Sequence, residues 1–305
     1  MLGALTRVWY RPSPQIFSRA SKRRAGERLP RQKCTVPEAC HSPRRRNVLM
    51  NTELSIQQYE QLNPFIEVSV DDRQMIFNTP NSHTAWRVNS LFEKEPDTIA
   101  WLESFEDSAV LYDIGANVGM YSIYAAMVRG AKVLAFEPES QNFALLNKNV
   151  FSNRLAGLVT AYPVALSSSF GFSSLYLSDF IAGGSCHNFG ESVDFNDRPF
   201  QSNFEQGCFA IPLDRLISDF GFPAPDYIKI DVDGLEHKVI DGALATIQAS
   251  VKSVLVEVNT LRQDHLQIVQ LLEGMGFTWS EELVERYIRK SGPFEGTGNY
   301  IFHRR

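Results

Sequence analysis

Two carboxylates, Asp113 and Glu137, each close a short apolar run, residues 109–112 and 132–136, with a glycine-rich turn between them. Acids at the ends of buried runs are costly unless each meets a donor or a cation, so the pattern asks for a ligand that supplies both. The turn, Gly115-Ala-Asn117-Val-Gly119, lets the backbone reverse and approach a ligand with no Cβ in the way. Asn117 is among the few other residues that tolerate a positive φ.

The dinucleotide fingerprint needs glycine where this chain has Asn117 and Met120. A phosphate also avoids an acid at the mouth of its loop, where Asp113 stands. A ligand carrying an ammonium or sulfonium group and a ribose diol fits better. Glu137 is expected to accept both ribose hydroxyl hydrogens and Asp113 to face the cationic methionine part, which describes S-adenosylmethionine. The plainer alternative is a packed βα turn with no ligand.

A second cluster lies in residues 226–232, an apolar run interrupted by Lys229 and Asp231, with Asp233 and Glu236 beyond it. Central parallel strands are normally apolar throughout, so charges there need partners. Lys229 is expected to pair with carboxylates of neighbouring strand tips. Asp231, Asp233 and Glu236 are also oxygen donors of the kind that hold magnesium or calcium, but their spacing is a weak signal and no metal is expected.

These residues must be positioned by elements that the hydrophobic pattern outlines. Residues 109–137 read as strand, turn, helix and strand, one βαβ unit whose right-handed crossover puts both acids at one sheet edge. A helix at 140–150, a strand at 158–166 and a short antiparallel addition at 171–177 follow. Residues 179–207 are polar, glycine-bearing and irregular, and read as a lid insert. Then come a strand and helix at 211–220, a strand at 226–232, a helix at 234–247, a strand at 253–258 and a helix at 263–275. Two strands, 277–284 and 299–303, are expected to close one edge as a hairpin. Upstream, residues 50–108 form a preamble with a helix at 53–62, a strand pair at 65–70 and 74–78, and helices at 85–92 and 96–105. His83 and Glu95 there are possible reaches toward the ligand, with surface capping as the default. Alternating β and α predicts an α/β, doubly wound, mostly parallel sheet with helices on both faces, over residues 109–305.

Composition bounds the rest. The net charge of −5 hides an arm, residues 1–49, with 12 Lys/Arg against Glu27 and Glu38. The acidic remainder argues against broad contact with nucleic acid. The arm is arginine-rich, proline-broken and without apolar period, and is expected to be disordered. A presequence, a nucleic-acid-binding tail and translated sequence ahead of a start at Met50 compete for it, and the abrupt change at Met50 favours the last. Four scattered cysteines, Cys34, Cys40, Cys186 and Cys208, match no zinc spacing and point to reduced thiols in a cytoplasmic protein. No apolar run approaches membrane-spanning length.

Taken together, Asp113 to Gly119, Phe136-Glu137-Pro138, Ile228 to Glu236 and Asp241-Gly242-Ala243 resemble the FkbM family of S-adenosylmethionine-dependent methyltransferases. The resemblance covers about residues 109–258, and Glu95 to Thr98 extend it upstream. The family pattern commonly has glutamate where this chain has Asp233. The resemblance implies a class I methyltransferase fold with a Rossmann-like seven-stranded sheet. It also implies O-methylation of a saccharide or natural-product hydroxyl. Asp113, Gly115, Asn117, Gly119 and Glu137 would bind the cofactor, joined by Asp231. An RNA or nucleic acid methyltransferase, and a nucleotide-binding protein without catalysis, are the alternatives.

Methyl transfer to an alcohol wants a base for its proton. His187, Asp233 and His237 are the candidates, and His187 leads because it is the sole histidine of the polar insert and follows Gly183 and Gly184. Because the charge break falls at Met50, a chain beginning there is expected to melt at essentially the temperature of the whole, checked by calorimetry. A drop of about ten degrees, several kcal/mol on the usual scale, would show that the arm packs on the domain.

Overall fold

The computed structural model describes residues 54–192, 198–199 and 201–305. The expectations for residues 1–49 lie outside the described residues. Helix α1 (Ile56–Gln61) starts on a reciprocal Ser55/Gln58 cap, and the hairpin β1 (Phe65–Val70) and β2 (Arg73–Asn78) turns at Asp71 and Asp72. Next come α2 (Ser82–Asn89) and α3 (Pro96–Glu103), then the βαβ unit of β3 (Val110–Ile114), α4 (Met120–Arg129) and β4 (Lys132–Phe136). After α5 (Ser140–Ser152) and β5 (Val159–Tyr162), a second sheet is built from β6 (Ala165–Leu166), β7 (Gly171–Leu177), β8 (Asn188–Phe189) and β9 (Phe204–Ile211). The chain then runs through α6 (Leu213–Phe220), β10 (Tyr227–Ile230), α7 (Glu236–Asp241), α8 (Leu244–Ser250) and β11 (Ser253–Asn259). It ends with α9 (Gln263–Gly274), β12 (Phe277–Thr278), α10 (Glu281–Tyr287) and β13 (Thr297–Arg304).

The main sheet has seven strands in the order β12-β13-β11-β10-β3-β4-β5. The strands β11 to β5 are parallel, and β13 runs antiparallel to β11 and β12. Side chains alternate across it as a pleated strand requires. Tyr112, Ile114, Phe136, Ile228 and Val254 pack with Leu216, Val239, Ile240, Ile268 and Leu272 on one face. Leu111, Val133, Tyr227 and Leu255 pack with Leu102, Phe105, Ile123 and Leu146 on the other. The strand order reverses between β3 and β10, and the crevice beyond such a switch point is where open α/β sheets bind ligands.

The doubly wound sheet is as expected; four local expectations change. Residues 277–284 are not one strand: β12 stops at Thr278, and Ser280 accepts from the Leu283 N–H to cap α10. The hairpin of two closing strands is therefore β12 and β13 with a helix between. The helix expected over 234–247 breaks in two at Gly242, where a Cβ would stand 2.4 Å from the Ser167 carbonyl oxygen. Asp214 then caps the second piece by accepting from Ala245 and Thr246 N–H. The strand expected over 158–166 divides into β5 and β6, which join different sheets. Finally, the insert is not irregular to residue 207, because β9 begins at Phe204 and pairs with β7 from Leu177↔Phe204 to Gly171↔Ala210.

Residues 54–108 pack within the same compact unit as the sheet. Asn149 on α5, fully buried, accepts from Asn78 N–H at 2.8 Å and donates to the Val118 carbonyl at 2.9 Å. It thus ties the β2 end to the glycine turn. Asn149→Ala strands a buried N–H and a buried C=O, each costing roughly 1–3 kcal/mol. We expect the urea midpoint to fall by the equivalent of about 2–4 kcal/mol with the slope unchanged. A midpoint within error of the wild type would show that this junction carries no stability.

Candidate active site

Gly115 and Gly119 have φ of +78° and +81°, and Asn117 has φ of +50°. A Cβ on Gly115 would lie 1.8 Å from the Asp231 carbonyl oxygen, so the turn threads against the exit of β10 where no side chain fits. A Cβ on Gly119 would meet Leu146 at 2.9 Å, which makes that glycine a packing requirement of α4 on α5. Three cavities meet at Gly115, and their linings differ in chemistry.

The first, about 70 Å³, is largely apolar. Phe136, Val164, Leu166, Leu175, Phe189 and Leu235 line it, with Glu137 and His187 among the few polar groups. Glu137 is buried at the tip of β4, its Oε2 accepting from Asn117 N–H at 2.7 Å and its Oε1 from Glu139 N–H at 2.9 Å. Burial outweighs these bonds and pushes its carboxyl up to about 7. Each oxygen keeps a second lone pair for a further donor. His187 is half-buried, its imidazole held below the usual range by burial. Among the described residues neither of its ring nitrogens has a hydrogen-bond partner.

The other two cavities are charged. A small one is lined by Ser90, Lys94, Met120, Tyr121, Lys229 and Asp231. A larger one, about 350 Å³, is lined by Trp86, Ser185, Asp233, Glu257, Arg289 and Phe294. Arg87, Lys94, Gly115, Asn117 and Asp231 belong to both. Lys229 is fully buried and donates to Asp231 Oδ2 at 3.1 Å, with Asp113 Oδ1 at 3.9 Å. Burial opposes its charge, but Asp231 and Asp113 raise its pKa above that of a free lysine. Burial likewise works against the Asp231 carboxylate, yet Lys229 and Lys94 hold it down at about 2.

Several expected site residues line none of the three cavities. Asp113 lines none of the three cavities: it is 1% exposed, accepts from Ser122 Oγ at 2.6 Å and lies 3.9 Å from Lys229. Burial raises its carboxyl. Asp231, just past the end of β10, lines both charged cavities. His187 stands with Glu137 on the apolar side and not with Asp231 and Asp233, because the strand pair β7 and β8 carries the insert across that cavity. His237 lines none of the three cavities; its Nδ1 lies 3.1 Å from Asp264 Oδ2, against α9. Glu236 turns back into its own loop, accepting from Val232 N–H at 2.9 Å and Gly234 N–H at 3.2 Å. It therefore does not join Asp231 and Asp233 around an ion. Glu95 is buried at 6% exposure and caps nothing: Lys94 Nζ lies 2.6 Å from it and Tyr121 donates to it at 2.8 Å. His83 is exposed.

Among the described residues one trio, His237, Asp264 and His265, brings possible metal ligands within 4.8 Å of one another. Two of its three members are engaged elsewhere. Arg262 donates to both Asp264 oxygens, at 3.1 and 2.6 Å. His265 Nδ1 accepts from Asn259 N–H at 3.1 Å, and its Nε2 faces Glu236 and the Gly234 carbonyl. The cluster locks α9 to the loop after β10.

Three features set Asp233 apart. Its φ is +55°, a strained value for aspartate. Burial and the adjacent Asp231 push its carboxyl up to about 6. Its Oδ2 accepts from Cys186 N–H at 2.7 Å, fixing the carboxylate at the lining of the larger cavity.

Sequence reading missed the strap that closes over the turn. Gly183 N–H donates to Asn142 Oδ1 at 2.7 Å, and the Gly184 carbonyl accepts from Asn117 at 2.7 Å and Asn142 at 3.1 Å. Asn81 donates to the Ala182 carbonyl at 2.9 Å and Arg87 to the Gly183 carbonyl at 2.7 Å. These anchors are long-range, and no local spacing announces them.

This sheet order, with a glycine turn after its central strand and an acid at the next strand tip, defines a Rossmann-like methyltransferase fold. Residues 113–278 match the description "Methyltransferase FkbM domain", and the chain belongs to that family. It is 29% identical over 183 residues to the hexuronic acid methyltransferase AglP of Haloferax volcanii, covering 60% of this chain and 70% of the relative. It is 29% identical over 188 residues to the 31-O-demethyl-FK506 methyltransferase FkbM of Streptomyces tacrolimicus, covering 55% and 72%. Among solved structures, methyltransferase FkbM from Methylobacillus flagellatus aligns with a TM-score of 0.42 at 17% identity over 65% of this chain and 44% of that one. M. jannaschii TYW2 in complex with AdoMet aligns at 0.40 and 13% over 80% and 88%. Among the described residues no helix is long and apolar enough to cross a membrane.

Gly115→Ala tests the junction of the cavities. The added methyl must push the turn off β10, so we expect S-adenosylhomocysteine binding to fall beyond calorimetric detection while the far-ultraviolet circular dichroism persists. Unchanged affinity would show that the turn is not the binding surface.

Proposed function

We propose that this methyltransferase uses S-adenosylmethionine and transfers its methyl group to a hydroxyl of a saccharide or other small natural product. One observation carries the reading: an apolar cavity holding Glu137 and a charged cavity holding Asp231 meet at a glycine that admits no side chain. A nucleoside joined to a zwitterionic, sulfonium-bearing amino acid has the same division of polarity. Glu137 accepts the two ribose hydroxyls, His187 offers its unpartnered ring nitrogens to the nucleoside, and Asp231 receives the ammonium group. The cofactor supplies an electrophilic methyl on a sulfonium; the rest is positioning.

The acceptor belongs in the 350 Å³ cavity, between Trp86 and Phe294. Asp233 takes the hydroxyl proton as attack proceeds. Its raised carboxyl makes it a better base than an ordinary aspartate while leaving it mostly ionised at pH 7. The strain at φ +55° is consistent with a carboxylate held for work rather than for packing. The relatives' hexuronic acid and FK506 substrates accord with a small oxygen-rich acceptor. The leading role for a base thus passes from His187 to Asp233.

Two measurements test this. Asp233→Asn should lower turnover about 10²–10⁴-fold with S-adenosylhomocysteine affinity intact, once labelled-methyl transfer into small-molecule extracts has identified an acceptor. Retained turnover removes Asp233 as base. Ribose binding favours ionised Glu137, whose unliganded pKa is about 7. Affinity should therefore weaken as pH falls below about 7, with proton release on binding near that pH. Glu137→Ala should weaken binding at least about tenfold and abolish the pH dependence. A wild-type affinity flat from pH 5.5 to 8 would remove Glu137 from the ribose.

A further inference from the structure

Four cations line the charged cavities, and three are already matched. Lys94 lies 2.6 Å from Glu95, Lys229 is 3.1 Å from Asp231 and Arg289 is 3.0 Å from Glu257 and 3.9 Å from Glu95. Arg87 differs. Among the described residues no carboxylate lies within ion-pair distance of it, and it donates from Nε to the Gly183 carbonyl at 2.7 Å. That bond constrains the guanidinium through Nε and engages neither terminal nitrogen, and Arg87 lines both charged cavities. An oriented guanidinium fork with no acid of its own matches a carboxylate in two-point geometry. The immobilisation that such recognition requires is already met by the strap.

We infer that Arg87 is the carboxylate receptor of this site, an inference that rests on the methyltransferase reading and deepens it. The carboxylate comes either from the methionine part of the cofactor, through the smaller cavity, or from an acidic hydroxylated acceptor, through the larger one. Trp86, 56% exposed beside Arg87, gives the larger cavity an aromatic lip against which a sugar ring can stack. Arg87 lies outside residues 113–278, so it comes from a part of the chain that the family match does not describe.

The test uses the full chain and Arg87→Gln, which keeps a donor for the Gly183 carbonyl. Calorimetry compares S-adenosylhomocysteine with 5′-methylthioadenosine, which lacks the amino acid part, and then titrates glucuronate and glucose into the S-adenosylhomocysteine-bound protein. If the cofactor's carboxylate sits on Arg87, the preference for S-adenosylhomocysteine falls about 10- to 100-fold in the variant. If the acceptor's does, cofactor affinity is unchanged, and the wild type binds glucuronate over glucose while the variant does not. A variant of unchanged melting temperature that keeps both the preference and glucuronate binding overturns the inference, as does a wild type showing neither. A wild type that binds no S-adenosylhomocysteine overturns the methyltransferase reading itself, and the two failures are told apart by that control. If Arg87→Gln does not fold, Arg87→Lys, which keeps charge but loses the fork, reads the same quantities.

Discussion

A single buried ammonium organises the site. Lys229 is 2% exposed in the middle of the parallel sheet, where an unpaired charge would cost several kcal/mol. Its register partner on β3 is Asp113, and its second contact, Asp231, lies two residues further along the chain, just past the end of β10. The two strands at the switch point are therefore tied by charge as well as by the backbone ladder. The same ammonium lies 5.3 Å from the centre of the Tyr121 ring, whose hydroxyl binds Glu95, so the network reaches the start of α3. Losing either acid would leave Lys229 less compensated, which is a stronger constraint than any exposed ion pair imposes.

That pairing also divides labour among the acids. Asp113 is consumed as a counter-ion beneath the turn. Asp231 stays ionised although largely enclosed, because Lys229 neutralises part of its cost, and it presents negative charge to the cavities. Asp233, one step further and without a cation in contact, is pushed up by burial and by Asp231 itself. Three aspartates at two neighbouring strands thus hold three different proton affinities. Neighbouring charge and burial set those differences, since the side chains are identical.

The surrounding wall is assembled from distant segments. Arg87 and Lys94 come from the region before the central strands, Arg289 and Phe294 from the stretch before the last strand, and Ser185 from the strap. The strap is held by Asn81, Arg87, Asn117 and Asn142, all hydrogen-bonding to its backbone. A polar loop over a cavity would otherwise leave those groups to water, and here they are satisfied by four side chains.

Residues 109–137 and 226–236 were legible before any coordinates, because short apolar runs, glycine turns and acids at run ends are local signals. The buried pairing of Lys229 was legible for the same reason, as a charge in a central strand must find a partner. Ser280 followed by Glu281 and Glu282 was also a readable helix start, but the apolar Phe277 and Trp279 obscured it. Phe204–Ile211 was not readable as a strand, since Gly207 and polar neighbours hide a pairing supplied by β7. The break at Gly242 depends on the approach of Ser167, far away in sequence. By itself, then, the chain determined the sheet, the turn and the acid at each strand tip, which arise from neighbours in sequence. Only the tertiary structure decided that Asp113 is sequestered, that Asp231 and Asp233 face the cavity and that His187 joins Glu137. Those outcomes are set by burial and by which charge comes to lie beside which.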